Sequence, residues 1–378
     1  MERPSESRSR GAIASLRRKG LPMVARVLTA LAAVLLAAWG CGQYWTDEHH
    51  STQYLWWMPT HWVIGVCWVL VVVSWALERL SLRLGGFQLR SLMTLALLVL
   101  SGWMLVGAWH IHRAVMPQRA GDLRVLYWNM TVGRELNGAV ELVLAQEPDV
   151  AIIANPRLDG LRGRLLAGLG TLGSEPDPEA SERPDSLVVG PTRFLFRHEI
   201  AVATRGQIVR WGSVTFQMRG VDDESHRGVV MFVEITGLSD NPVVVWIVDL
   251  PSHASLWRQE VAAEAARAVM EWRGPEFRLT SLGQWEPAIG ADGFPEPGVI
   301  VGDFNIPRAS ASLRTLVGKR AESHASRGWG PATTWNRTWP GWSIDLLFAG
   351  AGWTVTRHRV VDPRMGMHRM IVVDLKAE

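Results

Sequence analysis

Pro297-Gly298-Val299-Ile300-Val301-Gly302-Asp303-Phe304-Asn305 is an apolar run that stops on Gly-Asp-Phe-Asn. The run reads as a buried strand, and Gly302 permits the tight backbone that follows it. Asp303 and Asn305 then emerge at the strand's end, two residues apart, with side chains leaning the same way. A carboxylate and an amide presented together can orient a water, hold a hard metal ion and donate to a phosphate oxygen. The same pair also suits an Asx-type turn that closes a strand for backbone reasons alone.

The segments around this run are those of an α/β (α+β) domain. Strands are predicted over Leu123–Trp128, Val150–Ala154, Val214–Met218, Val229–Ile235, Val243–Asp249, Ile344–Ala349 and Met370–Leu375, with strand character across Phe194–Val209. Helices are predicted over Leu136–Gln146 and Leu256–Trp272, and exposed loops over Gly173–Pro184 and Gly283–Gly298. Residues 121–378 suffice for one domain with a substantial core. Strand-rich stretches punctuated by a few helices point to a two-layered sheet sandwich with helices outside. Each polar candidate falls at a strand end or in the loop beyond it, where sites are usually assembled.

The first third of the 378-residue chain is different in kind. Three stretches without Asp, Glu, Lys or Arg lie between Arg26 and Asp47, Glu48 and Glu78, and Arg90 and Arg113. Each is long enough to cross a bilayer core, which needs roughly 20 apolar residues. A basic tail over 1–22 and a membrane region over 23–112 are expected, with helices at about 24–44, 54–76 and 91–110. The tail carries Arg3, Arg8, Arg10, Arg17, Arg18 and Lys19, and the second loop Arg79, Arg83 and Arg90. The first loop holds Asp47, Glu48, His49 and His50 with neither Lys nor Arg. Positive residues stay cytoplasmic, so the reading is a multi-pass protein of the inner (cytoplasmic) membrane with residues 121–378 on the extracytoplasmic side.

The basic pI is therefore a topology signal. Residues 1–120 hold 12 Lys/Arg and 5 Asp/Glu, a net of +7; the whole chain is +3, which leaves −4 for residues 121–378. A generic duplex-DNA binder would place a basic face on that part. Both cysteines, Cys41 and Cys67, lie in or beside the apolar stretches. The C-terminal part thus has no disulfide partner, no thiol nucleophile and no thiolate metal site.

The motifs also follow one another in a recognisable order. Leu126-Tyr127-Trp128-Asn129 comes first, then Val248-Asp249-Leu250-Pro251-Ser252, Gly302-Asp303-Phe304-Asn305, Ser343-Ile344-Asp345-Leu346-Leu347, and finally His368 before the last strand. This succession, spanning essentially all of 121–378, resembles the endonuclease/exonuclease/phosphatase superfamily, Mg²⁺-dependent phosphoesterases built as a four-layer αββα sandwich. A membrane anchor ahead of such a domain resembles a bacterial subgroup of it. The resemblance implies Mg²⁺ (or Mn²⁺) as cofactor, and the lipid bilayer and a phosphodiester as partners: nucleic acid, lipid headgroup or small molecule. It also implies roles. Asn129 helps bind metal or phosphate, Asp303 orients or deprotonates the attacking water, and Asn305 holds a non-bridging phosphate oxygen. Asp345 supports the site from behind, and His368 stabilises the pentacovalent phosphate.

Three positions depart from that pattern. Where the family has its principal metal ligand, a Glu at the end of the second strand, this chain has Asn155, able to offer only an uncharged amide oxygen to the metal. Where the family has a mid-chain His there is Asp249, with His253 four residues on as a substitute and Asp249 itself as replacement charge. The usual Ser-Asp-His before the last strand is Gly366-Met367-His368. The expectation is a metal-dependent phosphoesterase, with a non-catalytic binding or scaffolding relative as the alternative. Trp329, Trp335, Trp339 and Trp342 crowd one loop and suit internal packing, a ligand grip or the lipid interface.

Overall fold

The computed structural model describes residues 20–81, 87–131, 138–156, 160–169, 188–189, 193–218, 224–290 and 293–378. The predicted loop over Gly173–Pro184 lies outside them. The chain divides into two compact units between His110 and Ile111.

The N-terminal unit is helical: α1 Leu21–Trp45, the short α2 His50–Trp56, α3 Thr60–Ser81 and α4 Phe87–Trp103. Three segments, Leu21–Trp45, Thr60–Leu80 and Gln88–Ala108, are long and apolar enough to cross a membrane. The middle one begins at Thr60 rather than at 54, because Pro59 closes the first turn of a new helix after α2. Val24, Leu31, Val34, Val69, Leu92 and Val99 point outward, whereas Ser74 and Thr29 are buried and hydrogen-bond each other at 2.8 Å. Arg90 and Glu78 form a buried ion pair. An apolar outside with polar groups turned inward is the reverse of a water-facing helix bundle.

The C-terminal unit contains two mixed sheets. In chain order, β1 Leu123–Asn129, β2 Val150–Ala154, β3 Val188–Val189, β4 Phe194–Arg197 and β5 Ile200–Thr204 begin the first sheet. The second consists of β6 Gln207–Gln217, β7 Arg227–Thr236, β8 Val243–Asp249, β9 Glu276–Leu279, β10 Trp285–Ala288, β11 Val299–Asp303, β12 Ala321–Glu322 and β13 Asp345–Ala349. The chain then returns to the first sheet with β14 Trp353–Val361 and β15 Met370–Ala377. Strand orders are β14-β15-β1-β2-β5-β4-β3 and β10-β9-β6-β7-β8-β11-β13-β12.

Alternation along the strands sorts their side chains into three apolar layers. Leu123, Val125, Tyr127, Val150 and Ile152 of the first sheet meet Met231, Val245, Ile247, Val299, Val301 and Leu347 of the second in one central core. The opposite face of the second sheet, with Val230, Phe232, Val248 and Ile300, is covered by α7 Arg258–Glu271 through Val261, Ala265 and Val269. The outer face of the first, with Leu126, Trp128, Ala151 and Ile153, packs on α5 Ala139–Leu144 and α6 Leu161–Gly168. The layers run helix, sheet, sheet, helix, the expected four. Each buried aliphatic or aromatic side chain in them contributes roughly 1.5–3 kcal/mol relative to exposure.

Most segment readings hold, with differences that have local causes. The 194–209 stretch is a hairpin plus the start of β6, since His198 and Glu199 turn the chain back between paired Arg197 and Ile200. The 283–298 loop includes β10, paired with β9 through only a short ladder. β14 escaped the sequence reading because Trp353–Val361 mixes Thr, Arg and His into an antiparallel strand bulged between Val355 and Arg357.

Candidate active site

β1 runs parallel to β2, and β8 parallel to β11, while β5, β7, β13 and β15 run antiparallel to their neighbours. The ends of the parallel strands and the beginnings of the antiparallel ones therefore share one edge. Asn129, Asn155, Asp249 and Asp303 come from strand ends; Asp345 and His368 precede or open strands at the same edge. A hydrogen bond of 3.0 Å from the Asn129 amide to Asp303 Oδ2 joins the two sheets there.

The carboxylates form a row. Asp303 pairs in register with Asp249 on one side and Asp345 on the other. All three continue the inward alternation of Ile247, Val301 and Leu347, so they cap the central core rather than face solvent. Asp303 and Asp345 are each 2% exposed, and Asp249 is half-buried. Strand propensity and the core's apolar pattern place these backbones, and the polar row replaces the last apolar layer.

Of the expected residues, Asn129, Asn155, Asp303, Asn305, Asp345 and His368 enter one arrangement, Asp249 stands beside it in the row, and His253 lies apart. Asp303 Oδ1 accepts from the Asn305 backbone N–H at 2.9 Å, and the Asn305 amide donates to the Leu250 carbonyl at 2.8 Å. The Asn129 amide oxygen accepts from Thr131 N–H (3.1 Å), the Thr131 hydroxyl (2.6 Å) and the Asn155 amide (2.9 Å). Asn155 and Asn305 both hold left-handed φ, 52° and 48°, which turns side chains at the ends of β2 and β11 back toward the row. His368 Nδ1 lies 2.9 Å from Asp345 Oδ2 and 3.9 Å from Asp303 Oδ2. Asp345 thus gives the imidazole the carboxylate partner that Met367, half exposed, cannot supply. His253 stacks on His226 at 4.6 Å and accepts from the Ser255 hydroxyl at 2.7 Å. It makes no hydrogen bond to Asp303, Asp345 or His368 among the described residues.

Burial, then the charge of Asp345, raises Asp303 to about 7 against the pull of His368, the Asn305 N–H and Asn129. Burial followed by Asp303 and Asp345 raises Asp249 to about 8, with Glu199 adding in the same direction. For His368 burial acts downward, but the charge and hydrogen bond of Asp345, then Asp303 and Asp249, hold it up at about 9. The imidazole is therefore cationic at neutral pH. Tyr127 lies below the row, its phenol pushed well above the usual range by burial and then by the three carboxylates.

These shifts set a sign for stability against pH. Asp249 and Asp303 bind protons more tightly folded than unfolded, so their contribution is present at low pH and is lost as pH rises through about 7 and 8. His368 acts in the same direction, its contribution full below the unfolded value and lost as pH rises through about 9. In chelator, the melting temperature of the C-terminal unit is expected to fall by several degrees between pH 5 and pH 9. Differential scanning calorimetry across that range checks it; a flat or rising profile would show the row is not charge-strained.

The donor set suits a hard divalent cation. Asp345 Oδ1 is buried with no hydrogen-bond partner, and three carboxylates share the rim with one cationic side chain. Asp303, Asp345 and His368 each present a donor atom within 4.8 Å of the others. Oxygen donors are what Mg²⁺ or Mn²⁺ takes. The protonated His368, already tied to Asp345, is the member least suited to ligate.

Sequence reasoning missed Thr131, Tyr127 and Glu199 at this edge. Tyr127 was readable, being two residues before Asn129 and so on the same face. Glu199 was not, because it reaches the edge only through the β4–β5 hairpin. The Trp-rich loop divides: Trp335 and Trp342 pack on each other at 5.2 Å, while Trp329 and Trp339 are exposed. The loop is tied to the His368 segment by Arg337 N–H to the Met367 carbonyl (2.8 Å) and Arg369 N–H to the Thr334 carbonyl (2.9 Å).

Among solved structures, a mannosyl-6-phosphatase of Bacteroides thetaiotaomicron is similar at 15% identity, over 67% of this chain and 99% of its own, with a TM-score of 0.45. An endonuclease/exonuclease/phosphatase of Beutenbergia cavernae is similar at 18% identity, over 68% and 72%, with a TM-score of 0.42. Sphingomyelinase C of Streptomyces griseocarneus is similar at 14% identity, over 68% and 99%, with a TM-score of 0.40. No curated protein matches the chain in sequence. The model of the Endonuclease/Exonuclease/phosphatase family matches residues 48–367, most of the chain, and this chain belongs to that family.

Proposed function

We propose that this protein is a membrane-anchored, extracytoplasmic phosphoesterase that hydrolyses a phosphodiester with a water activated at Asp303. The observation that carries the reading is the Asn129–Asp303 bond across the two sheets, with the His368–Asp345 pair directly beside it. Asp303 takes the proton of the attacking water; its two oxygens are fixed by Asn129 and the Asn305 N–H, which leaves its remaining lone pairs for that role. Asn305 spends one amide N–H on Leu250 and has the second for a non-bridging phosphoryl oxygen. His368, cationic and oriented by Asp345, stabilises charge that accumulates on the phosphoryl group through its outer N–H. Mg²⁺ or Mn²⁺ would be held by Asp303 with the Asn155 amide oxygen, and Asn129 would act on it through Asp303. Bound there, the cation would neutralise phosphate charge and acidify water.

The three apolar helices and the lopsided distribution of Lys and Arg support anchoring in the inner membrane with the catalytic unit outside. Substrate candidates remain those a phosphodiester chemistry admits: a lipid headgroup, a nucleic acid or a small molecule. The full chain in detergent micelles, given Mg²⁺ or Mn²⁺, is expected to turn over a chromogenic phosphodiester. No turnover with any divalent cation would overturn the reading. Asn155 and Met367, replacing two carboxylates, favour a second reading as a non-catalytic binding module. Metal titration by calorimetry separates the two, since the hydrolase binds and the scaffold does not.

A further inference from the structure

The end of β2 lacks a carboxylate, yet its neighbour in the sheet has one. β2 and β5 pair antiparallel with Ala154 opposite Ile200, so the next step along the ladder sets Asn155 opposite Glu199. The Asn155 N–H donates to the Glu199 carbonyl at 2.7 Å, which confirms that the ladder continues by one rung past the strands. Resting on the hydrolase reading above, we propose that Glu199 is the displaced carboxylate ligand of this site, supplying to the divalent cation the negative charge that Asn155 does not.

Four observations support this assignment. First, Glu199 directly precedes β5 at the edge where Asn129, Asp303 and His368 converge, and its charge acts on Asp249 in the opposite sheet. Second, its carboxylate has no hydrogen bond or ion pair among the described residues, and the residue is exposed, so the group is available to a ligand. Third, the two-residue turn His198-Glu199 holds φ of 50° and 59°. Such turns favour Asn-Gly or Asp-Gly because both positions need positive φ, which L side chains other than Asn and Asp rarely adopt. Glu is a poor turn former by that criterion, so its presence is better explained by its carboxylate than by the bend. Fourth, Asn155 shares the left-handed backbone at φ 52° and turns its amide to Asn129. The rim thus carries an amide at the end of β2 and a carboxylate at the adjoining start of β5.

The test is Mn²⁺ binding by the full chain in micelles, read by calorimetry and by the electron paramagnetic resonance of free Mn²⁺, without substrate. Glu199→Gln keeps size and turn geometry, and is expected to weaken binding by about tenfold or more. The double variant Glu199→Gln with Asn155→Glu is expected to regain most of that loss, which a merely misfolded hairpin would not allow. Unchanged affinity in Glu199→Gln overturns the assignment while leaving the hydrolase reading intact. Loss in the single variant without recovery in the double also overturns it, since the charge would then not be exchangeable between the two positions. A parent chain that binds no Mn²⁺ overturns both.

Discussion

Asp303→Asn is expected to lower kcat for phosphodiester hydrolysis by about 10³-fold, within the range of a removed general base. Asn preserves the side chain's shape, so the loss would report chemistry rather than packing. The structure adds a sharper expectation. Asp303 sits among Asp249 and Asp345 with its carboxyl raised to about 7, so removing its charge relieves repulsion. One hydrogen bond is lost in exchange, because both Asp303 oxygens accept and an amide nitrogen cannot. In chelator at pH 8, the variant's melting temperature should therefore stay near the parent's while activity collapses. A variant retaining a tenth or more of the parent's kcat would remove Asp303 from the proposed chemistry.

The second large effect concerns stability. Gly302 lies in β11 between Val301 and Asp303, opposite Val248 of β8 and Leu346 of β13. A Cβ built there would fall on the Val248 carbonyl oxygen, with that residue's C and N also within 2.7 Å. No side chain can move aside, because the obstacle is the backbone of the adjoining central strand. Gly302→Ala should cost about 3 kcal/mol or more, as overpacking at a rigid site does. In a domain of this size that corresponds to roughly 10 °C in melting temperature. Activity should fall as well, since Asp303 is the next residue. Thermal denaturation within about 2 °C of the parent, on that same scale, would show that β8 and β11 can separate locally.

Much of this was readable from the chain because strands are local and their ends are marked. Val299-Ile300-Val301 bounded by Pro-Gly and Gly-Asp announced β11, and the equally apolar Val150–Ala154 announced β2. Asp303, Asn129, Asp345 and His368 were legible because each terminates or opens such a run. What the sequence withheld was register. Nothing in Val243–Asp249, Val299–Asp303 and Asp345–Ala349 taken singly says that the three acids stand in one row; pairing between strands decides that. His253 illustrates the opposite failure: nearness in sequence to Asp249 suggested a substitute imidazole, but the loop after β8 carries it onto His226. Glu199 was hidden for a related reason, since a hairpin brings it beside Asn155 across more than forty intervening residues. β14 was missed because its side chains alternate weakly and its backbone is bulged.

The pairing of β1 with β15 has a consequence for biosynthesis. β1 lies inside its sheet, yet one of its two flanks is filled only by Met370–Ala377, a segment made long after it. A nascent polypeptide would expose that naked flank, with its unsatisfied amides, until Met370–Ala377 has been made. The imidazole that completes the rim arrives with the same segment. Synthesis interrupted before β15 therefore yields an adhesive product with an unfinished rim, and only chains that include β15 can fill that flank.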